Sequence, residues 1–84
     1  MADRNLKMKQ LKAILRRYGV TSSTQRGKGS HLLFSKAFPE GTVSYPVPTH
    51  GTDVMVCYVR GCRKKFRIRV QDGVSDQEFY QDHG

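Results

Sequence analysis

These 84 residues leave room for one domain, and we expect its core to be thin. Fifteen lysines and arginines stand against seven aspartates and glutamates, so the formal net charge is +8. An excess of this size favours a polyanionic partner, with nucleic acid ahead of a membrane surface. Because no apolar run could cross a bilayer and no secretory leader opens the chain, we expect a cytosolic protein.

The first predicted element is an amphipathic helix. Its apolar residues recur at spacings of three and four, as one helix face requires: Met8, Leu11, Ile14, Leu15 and Tyr18. A cap at Asp3 or Asn5 would start this helix, and Gly19 would end it. Basic residues fill much of the remaining surface, either as a solvated face or as a surface that follows a phosphate backbone.

A three-stranded antiparallel meander is predicted next. Polar and β-branched residues over 20–26 favour a first strand, the apolar run after His31 favours a second over 32–36, and the alternation of Val43, Tyr45 and Val47 favours a third over 42–47. A glycine turn, Arg26-Gly27-Lys28-Gly29, precedes Ser30 and His31. His31 would then lie at a strand entrance, where a rigid backbone holds a side chain that can exchange a proton near neutral pH.

A second helix is predicted from a cap at Thr52 or Asp53 to about Phe66, although the valines in this segment make a strand the alternative. Its apolar face would hold Met55, Tyr58, Val59, Cys62 and Phe66, and its basic end would hold Arg60, Arg63, Lys64 and Lys65. Cys57 and Cys62 are interpreted as buried, reduced thiols, because a separation of about 140° around a helix suits neither a disulfide nor a metal pair. A capping box over residues 75–78 predicts a short final helix through Phe79 and Tyr80.

Three sequence features point to a known family: Tyr18-Gly19 at the end of the first helix, the signature Gly27-Lys28-Gly29-Ser30-His31, and the segment Val47-Pro48-Thr49-His50. With them, the order of elements describes an α+β domain over residues 1–84 whose sheet is covered by helices on one side. This order resembles the double-stranded-RNA-binding fold. More specifically, the chain resembles the HicA family of toxin ribonucleases from type II toxin–antitoxin pairs. The resemblance covers about residues 7–66, and residues 67–84 form an extension.

The resemblance implies an mRNA interferase, an endoribonuclease that works without a metal or another cofactor. His31 would be catalytic, taking the proton of a ribose 2′-hydroxyl that then attacks the adjacent phosphate, while Arg26 and Lys28 stabilise the developing charge. His50 would carry a second proton or only position RNA. Further RNA contacts are predicted at Ser30, Arg63, Lys64 and Lys65. The implied partners are an mRNA substrate and a HicB-like antitoxin that covers His31.

Two other functions fit the same residues. A non-catalytic module could grip structured RNA by its shape and phosphates, as double-stranded-RNA-binding domains do, with His31 as an ordinary strand histidine. A protein-interaction adaptor would leave the positive charge unexplained. The extension over residues 67–84 could extend the core, shape a surface for the antitoxin, or mark a homologue that has lost toxin activity.

Overall fold

A computed structural model describes residues 3–24, 31–49 and 51–81 of the chain. The predictions made for Arg26, Lys28, Ser30 and His50 lie outside these described residues. The elements in chain order are β1 (Leu6–Lys7), α1 (Met8–Arg16), β2 (Thr21–Thr24), β3 (His31–Phe38), β4 (Gly41–Pro48), β5 (Asp53–Val54), α2 (Val56–Lys65), a 3₁₀ turn (Val70–Asp72) and α3 (Asp76–Phe79). No helix in these ranges is long and apolar enough to cross a bilayer.

Strands β2, β3 and β4 form an antiparallel sheet in that order, which confirms the predicted meander and the α+β class. The register pairs His31 with Pro48 at one end of the central hairpin and Phe38 with Gly41 at the other. Both strands of this hairpin are longer than the sequence predicted. Strand β4 accommodates Pro46 because it is an edge strand of this sheet, where a missing amide hydrogen leaves no ladder bond unmade.

A second, two-stranded sheet joins β1 to β5 and was not predicted. Leu6 pairs with Val54 and Lys7 with Asp53, and the Lys7 ammonium lies 2.7 Å from the Asp53 carboxylate. The backbone N–H of Met8 also donates to the carbonyl of Thr52 at 2.8 Å. These bonds place the starts of α1 and α2 side by side.

The helix caps differ from those predicted. Helix α1 begins after Lys7, whose backbone N–H donates to the Gln10 side chain at 3.0 Å, so neither Asp3 nor Asn5 caps it. Asn5 instead accepts from the backbone N–H of Val56 at 2.7 Å and therefore caps α2 from another part of the chain. The predicted α2 caps, Thr52 and Asp53, are wrong. The helix begins at Val56, so the capping position directly before it is Met55.

Other predicted helix ends are confirmed. Gly19, three residues after the last residue of α1, has a left-handed backbone with φ +81°. The hydroxyl of Ser75 accepts from the Glu78 amide at 3.1 Å and caps α3.

One core lies between the sheet and the helices. It contains Leu11, Ile14 and Leu15 of α1, Leu32, Phe34 and Val47 of the sheet, Val59, Cys62 and Phe66 of or just after α2, and Ile68, Val74, Phe79 and Tyr80 beyond it. The C-terminal extension therefore extends the core, one of the three alternatives left open by the sequence. Two α2 predictions are wrong, because Cys57 is exposed and Met55 is 61% exposed rather than packed on the apolar face.

Candidate functional site

His31 lies at a corner of the three-stranded sheet, as the first residue of β3. Its partner across the ladder is Pro48, the last residue of β4. The side chain is partly exposed. The predicted position of this histidine at a strand entrance is therefore confirmed. The strand backbone fixes the direction in which its side chain points.

No helix among the described residues covers the sheet face that carries His31. Alternate residues of β3 point to opposite faces, and those on the other face, Leu32 and Phe34, are buried under the helices. Pro46 and Pro48 lie on the same face as His31 in the neighbouring strand. None of the residues of β2, β3 or β4 is acidic. A phosphate that approaches this face therefore meets no like charge from the strands themselves.

The predicted RNA contacts Lys64 and Lys65 lie near the other end of the sheet. Helix α2 runs antiparallel to β4, because Pro48 and Met55 line one pocket while Arg67, after the helix, pairs with Glu40 in the β3–β4 turn. The hairpin has strands of 8 residues, or about 25 Å at roughly 3.3 Å per residue. The structure therefore does not bring these two lysines to His31.

Arg63, another predicted RNA contact, is turned inward and is only 3% exposed. Its guanidinium donates to Asp3 at 2.9 Å and to Asp76 at 2.6 Å, and to the carbonyls of Ile68 and Val74 at 2.9 and 2.8 Å. An arginine side chain has five N–H donors, and Arg63 uses most of them in hydrogen bonds within the protein. The structure corrects the prediction for Arg63, which holds the fold together and is not presented to an outside phosphate.

Most of the carboxylates of the described residues are paired with basic side chains. Five of them form ion pairs with basic side chains, namely Asp3, Glu40, Asp53, Asp72 and Asp76. Within the described ranges, no carboxylate lies at ion-pair distance from the exposed bases Lys9, Lys12, Arg16, Arg60, Lys64 and Lys65. These six side chains are among the cations that the described surface offers to a polyanion.

Lys9 lies at the same end of the molecule as His31, which the sequence did not predict. It lines a cleft of about 440 Å³ with Met8 and Thr52 at the start of α1. Thr52 follows Pro48 by four residues, so the chain between them spans at most about 14 Å. The pairing of β1 with β5 helps to bring α1 to this end, and a pairing of two-residue strands leaves no periodic signal in the sequence.

The described residues contain no group of three histidine, cysteine, aspartate or glutamate side chains that could hold a metal ion. Cys62 is buried in the core, and that burial raises the pKa of its thiol to about 12. A thiol is a metal ligand or nucleophile only as the thiolate, so Cys62 has a packing role.

Comparisons with protein-family models, with curated proteins and with solved structures return no match.

Proposed function

We propose that this protein is an RNA-cleaving toxin of the HicA kind, with a double-stranded-RNA-binding-like fold and with His31 as the base that starts the reaction. The observation that carries the proposal is the placement of His31 on a strand, partly exposed, on the sheet face that the helices leave open. The signature that precedes His31 in the sequence, and the excess of basic side chains, point to the same class of substrate.

The proposed reaction needs only acid–base chemistry. The neutral imidazole of His31 takes the proton of a ribose 2′-hydroxyl, and the resulting oxygen attacks the adjacent phosphorus. The bond from phosphorus to the 5′-oxygen breaks, and that oxygen receives a proton from a general acid, for which His50 is the candidate. The products are a 2′,3′-cyclic phosphate and a 5′-hydroxyl. Arg26 and Lys28 would stabilise the negative charge that builds on the phosphate oxygens.

The proposed partner in the cell is a HicB-like antitoxin. The open face of the sheet is where such a partner would block His31, since the helices and the core occupy the other face. Because the strands of this face carry no acidic side chains, they would not repel acidic groups of the antitoxin. We therefore also predict that an antitoxin that covers this face inhibits the toxin activity.

The test replaces His31 by alanine. We expect cleavage of a labelled mRNA to fall by 10²-fold or more, the usual contribution of a positioned base, while salt-dependent RNA affinity stays within about twofold. Mass spectrometry of the wild-type products should find 2′,3′-cyclic phosphate ends. Ser35→Ala, four residues along β3 on the same open face, is the matched control and should cleave normally.

The alternative function is a non-catalytic RNA-binding module. The distance between His31 and the basic end of α2 favours it, because a binding surface can be spread over the molecule whereas a catalytic centre cannot. Induced expression in cells separates the two functions. Growth arrest with loss of messages in the wild type and not in His31→Ala supports the toxin, and binding without arrest or cleavage supports the module.

A further inference from the structure

One cleft in the described part of the molecule lies away from the open sheet face, where the C-terminal extension packs beside α2. Its volume is about 450 Å³. One wall is formed by Arg60 and Lys64 of α2, and the other by Arg69, Val70 and Gln71. The cleft exists because residues beyond the HicA-like core fold back along the helix.

Three charged side chains lie at the floor of the cleft. Arg63 lies there between the carboxylates of Asp3 and Asp76, all three being largely buried. Because Arg63 makes its hydrogen bonds to the protein, its side chain stabilises the conformation of the residues that line the cleft. The floor thus holds two carboxylates against one guanidinium, while the lining as a whole holds four basic side chains against two carboxylates, so its net charge is positive.

The walls carry the charge that a ligand would meet. Arg60 and Lys64 are exposed, four residues apart on one helix face, with no ion-pair partner among the described residues. On the opposite wall Arg69 is held by Asp72 at 2.9 Å, which fixes its guanidinium in place. The cations of the cleft that no described carboxylate neutralises are therefore Arg60 and Lys64 on the helix side, and their joint field favours an anionic ligand.

Val70 adds an apolar surface to the same cleft. It is 62% exposed and is one of only two large apolar side chains of the described residues that stand out in solvent. Next to it, Gln71 supplies an amide that can both donate and accept hydrogen bonds. An apolar side chain beside an amide suits the face and edge of a nucleobase, whereas a simple inorganic anion would use neither.

We propose that this cleft is a second RNA-binding site, which takes ribose-phosphate units several nucleotides away from the one that is cleaved. Side chains four residues apart on a helix have Cβ atoms about 5–6 Å apart, a spacing of the same order as that of successive phosphates along a nucleic-acid strand. Arg60 and Lys64 bind the phosphates, and Val70 and Gln71 contact a base. The proposal rests on RNA as the substrate of the proposed function, but it does not depend on catalysis by His31.

The test uses the full chain and an RNA 12-mer with 2′-O-methyl groups, which lacks the nucleophile and cannot be cleaved by the proposed route. The variant is Arg60→Gln with Lys64→Gln. Its matched control is Lys12→Gln with Arg16→Gln, which removes one lysine and one arginine at the same spacing from the exposed face of α1. All four residues are exposed, so thermal unfolding should match the wild type.

We expect the cleft variant to bind the RNA at least fivefold more weakly at 100 mM salt. The slope of log affinity against log salt should fall by about 1.4, the value for two lost phosphate contacts on a single strand. In the control variant, the decrease in this slope should be less than half of the decrease in the cleft variant. Val70→Ser should weaken binding without changing the slope, because it removes an apolar contact and no charge.

Equal losses in the two double variants would overturn the proposal, since they would show only a general effect of net charge. The proposal would also be overturned if the wild type bound an eight-residue glutamate peptide more tightly than RNA and the cleft variant lost that preference. The cleft would then bind an acidic protein partner. Cleavage of unmodified RNA is measured in parallel. A raised KM with unchanged kcat in the cleft variant supports the second site, and loss of cleavage in His31→Ala alone tests the proposed function separately.

Discussion

At the scale of single residues, the two cysteines show how one helix gives identical side chains opposite surroundings. Cys57 and Cys62 both belong to α2, yet Cys57 is exposed and Cys62 is fully buried. A separation of five residues rotates one about 140° from the other around the helix axis. The same angle that excludes a disulfide therefore also prevents both thiols from facing one core.

We predict that one thiol per chain reacts rapidly with an aromatic disulfide reagent at pH 8. The thiolate is the reactive form, and burial raises the pKa of Cys62 to about 12, so Cys62 should stay unreactive until the protein unfolds. Absorbance of the released thiol measures the stoichiometry before and after addition of guanidinium chloride. Cys57→Ala should remove the fast phase and Cys62→Ala should keep it; two fast thiols in the folded protein would contradict the structure.

At the scale of elements, the contact between α2 and β4 depends on a glycine. Gly61 lies in the middle of α2, where the hydroxyl end of Tyr45 from β4 approaches so closely that a Cβ atom on Gly61 would overlap the tyrosine ring. Tyr45 is itself packed against the core. The helix thus accepts a residue of poor helix propensity because that residue lets the sheet approach.

We predict that Gly61→Ala destabilises the protein by about 1–3 kcal/mol, the usual cost of overpacking, although alanine in an isolated helix is better than glycine by about 1 kcal/mol. Urea unfolding followed by circular dichroism measures the change. If the clash with Tyr45 is the cause, Gly61→Ala should cost much less in a Tyr45→Ala background. An equal cost in both backgrounds would remove Tyr45 from the explanation.

At the scale of the whole molecule, Arg63 joins three parts of the chain that are distant in sequence. It binds Asp3 near the N-terminus, Asp76 of α3, and the backbone of the extension. Tyr80 adds to the same cluster, because its hydroxyl donates to Asp3 at 2.8 Å and burial raises its pKa to about 12. Removing one partner of such a cluster leaves a largely buried charge unpaired, which is strongly destabilising.

This cluster makes stability depend on pH. The hydrogen bond from Arg63 holds the pKa of Asp76 below its usual value. A carboxyl group with a lowered pKa in the folded state stabilises the protein above its unfolded pKa of about 3.9, and that contribution is lost as the pH falls through the lowered value. We predict that the free energy of unfolding falls between pH 5 and pH 2, and that Asp76→Asn reduces this fall.

Urea titrations at several pH values measure this dependence, with Gln77→Ala, the next residue of α3, as the control. At pH 7 Asp76→Asn should be less stable than the wild type, and the two should converge in acid. Parallel pH curves for the two proteins would show that the ion pair with Arg63 does not stabilise the fold.

The main elements follow from local patterns. A period of three to four residues predicted α1, alternation predicted β4, and Ser75 with Glu78 predicted α3. The β1–β5 pair could not be predicted, because two residues are too few to show a period. Nor could the Asn5 cap, since a cap supplied from 51 residues away in sequence has no local signature.

The sequence by itself determined the α+β class, the meander, the position of His31 at a strand entrance and the large positive charge, because each depends on neighbouring residues or on composition. Tertiary structure alone decided which cations serve which site. It turned Arg63 inward to two carboxylates, left Lys64 with Arg60 at a cleft far from His31, and brought Lys9 to the histidine's end of the molecule. The physical reason is that identical charges are equivalent along a chain and become different only when packing gives each its own neighbours and distance.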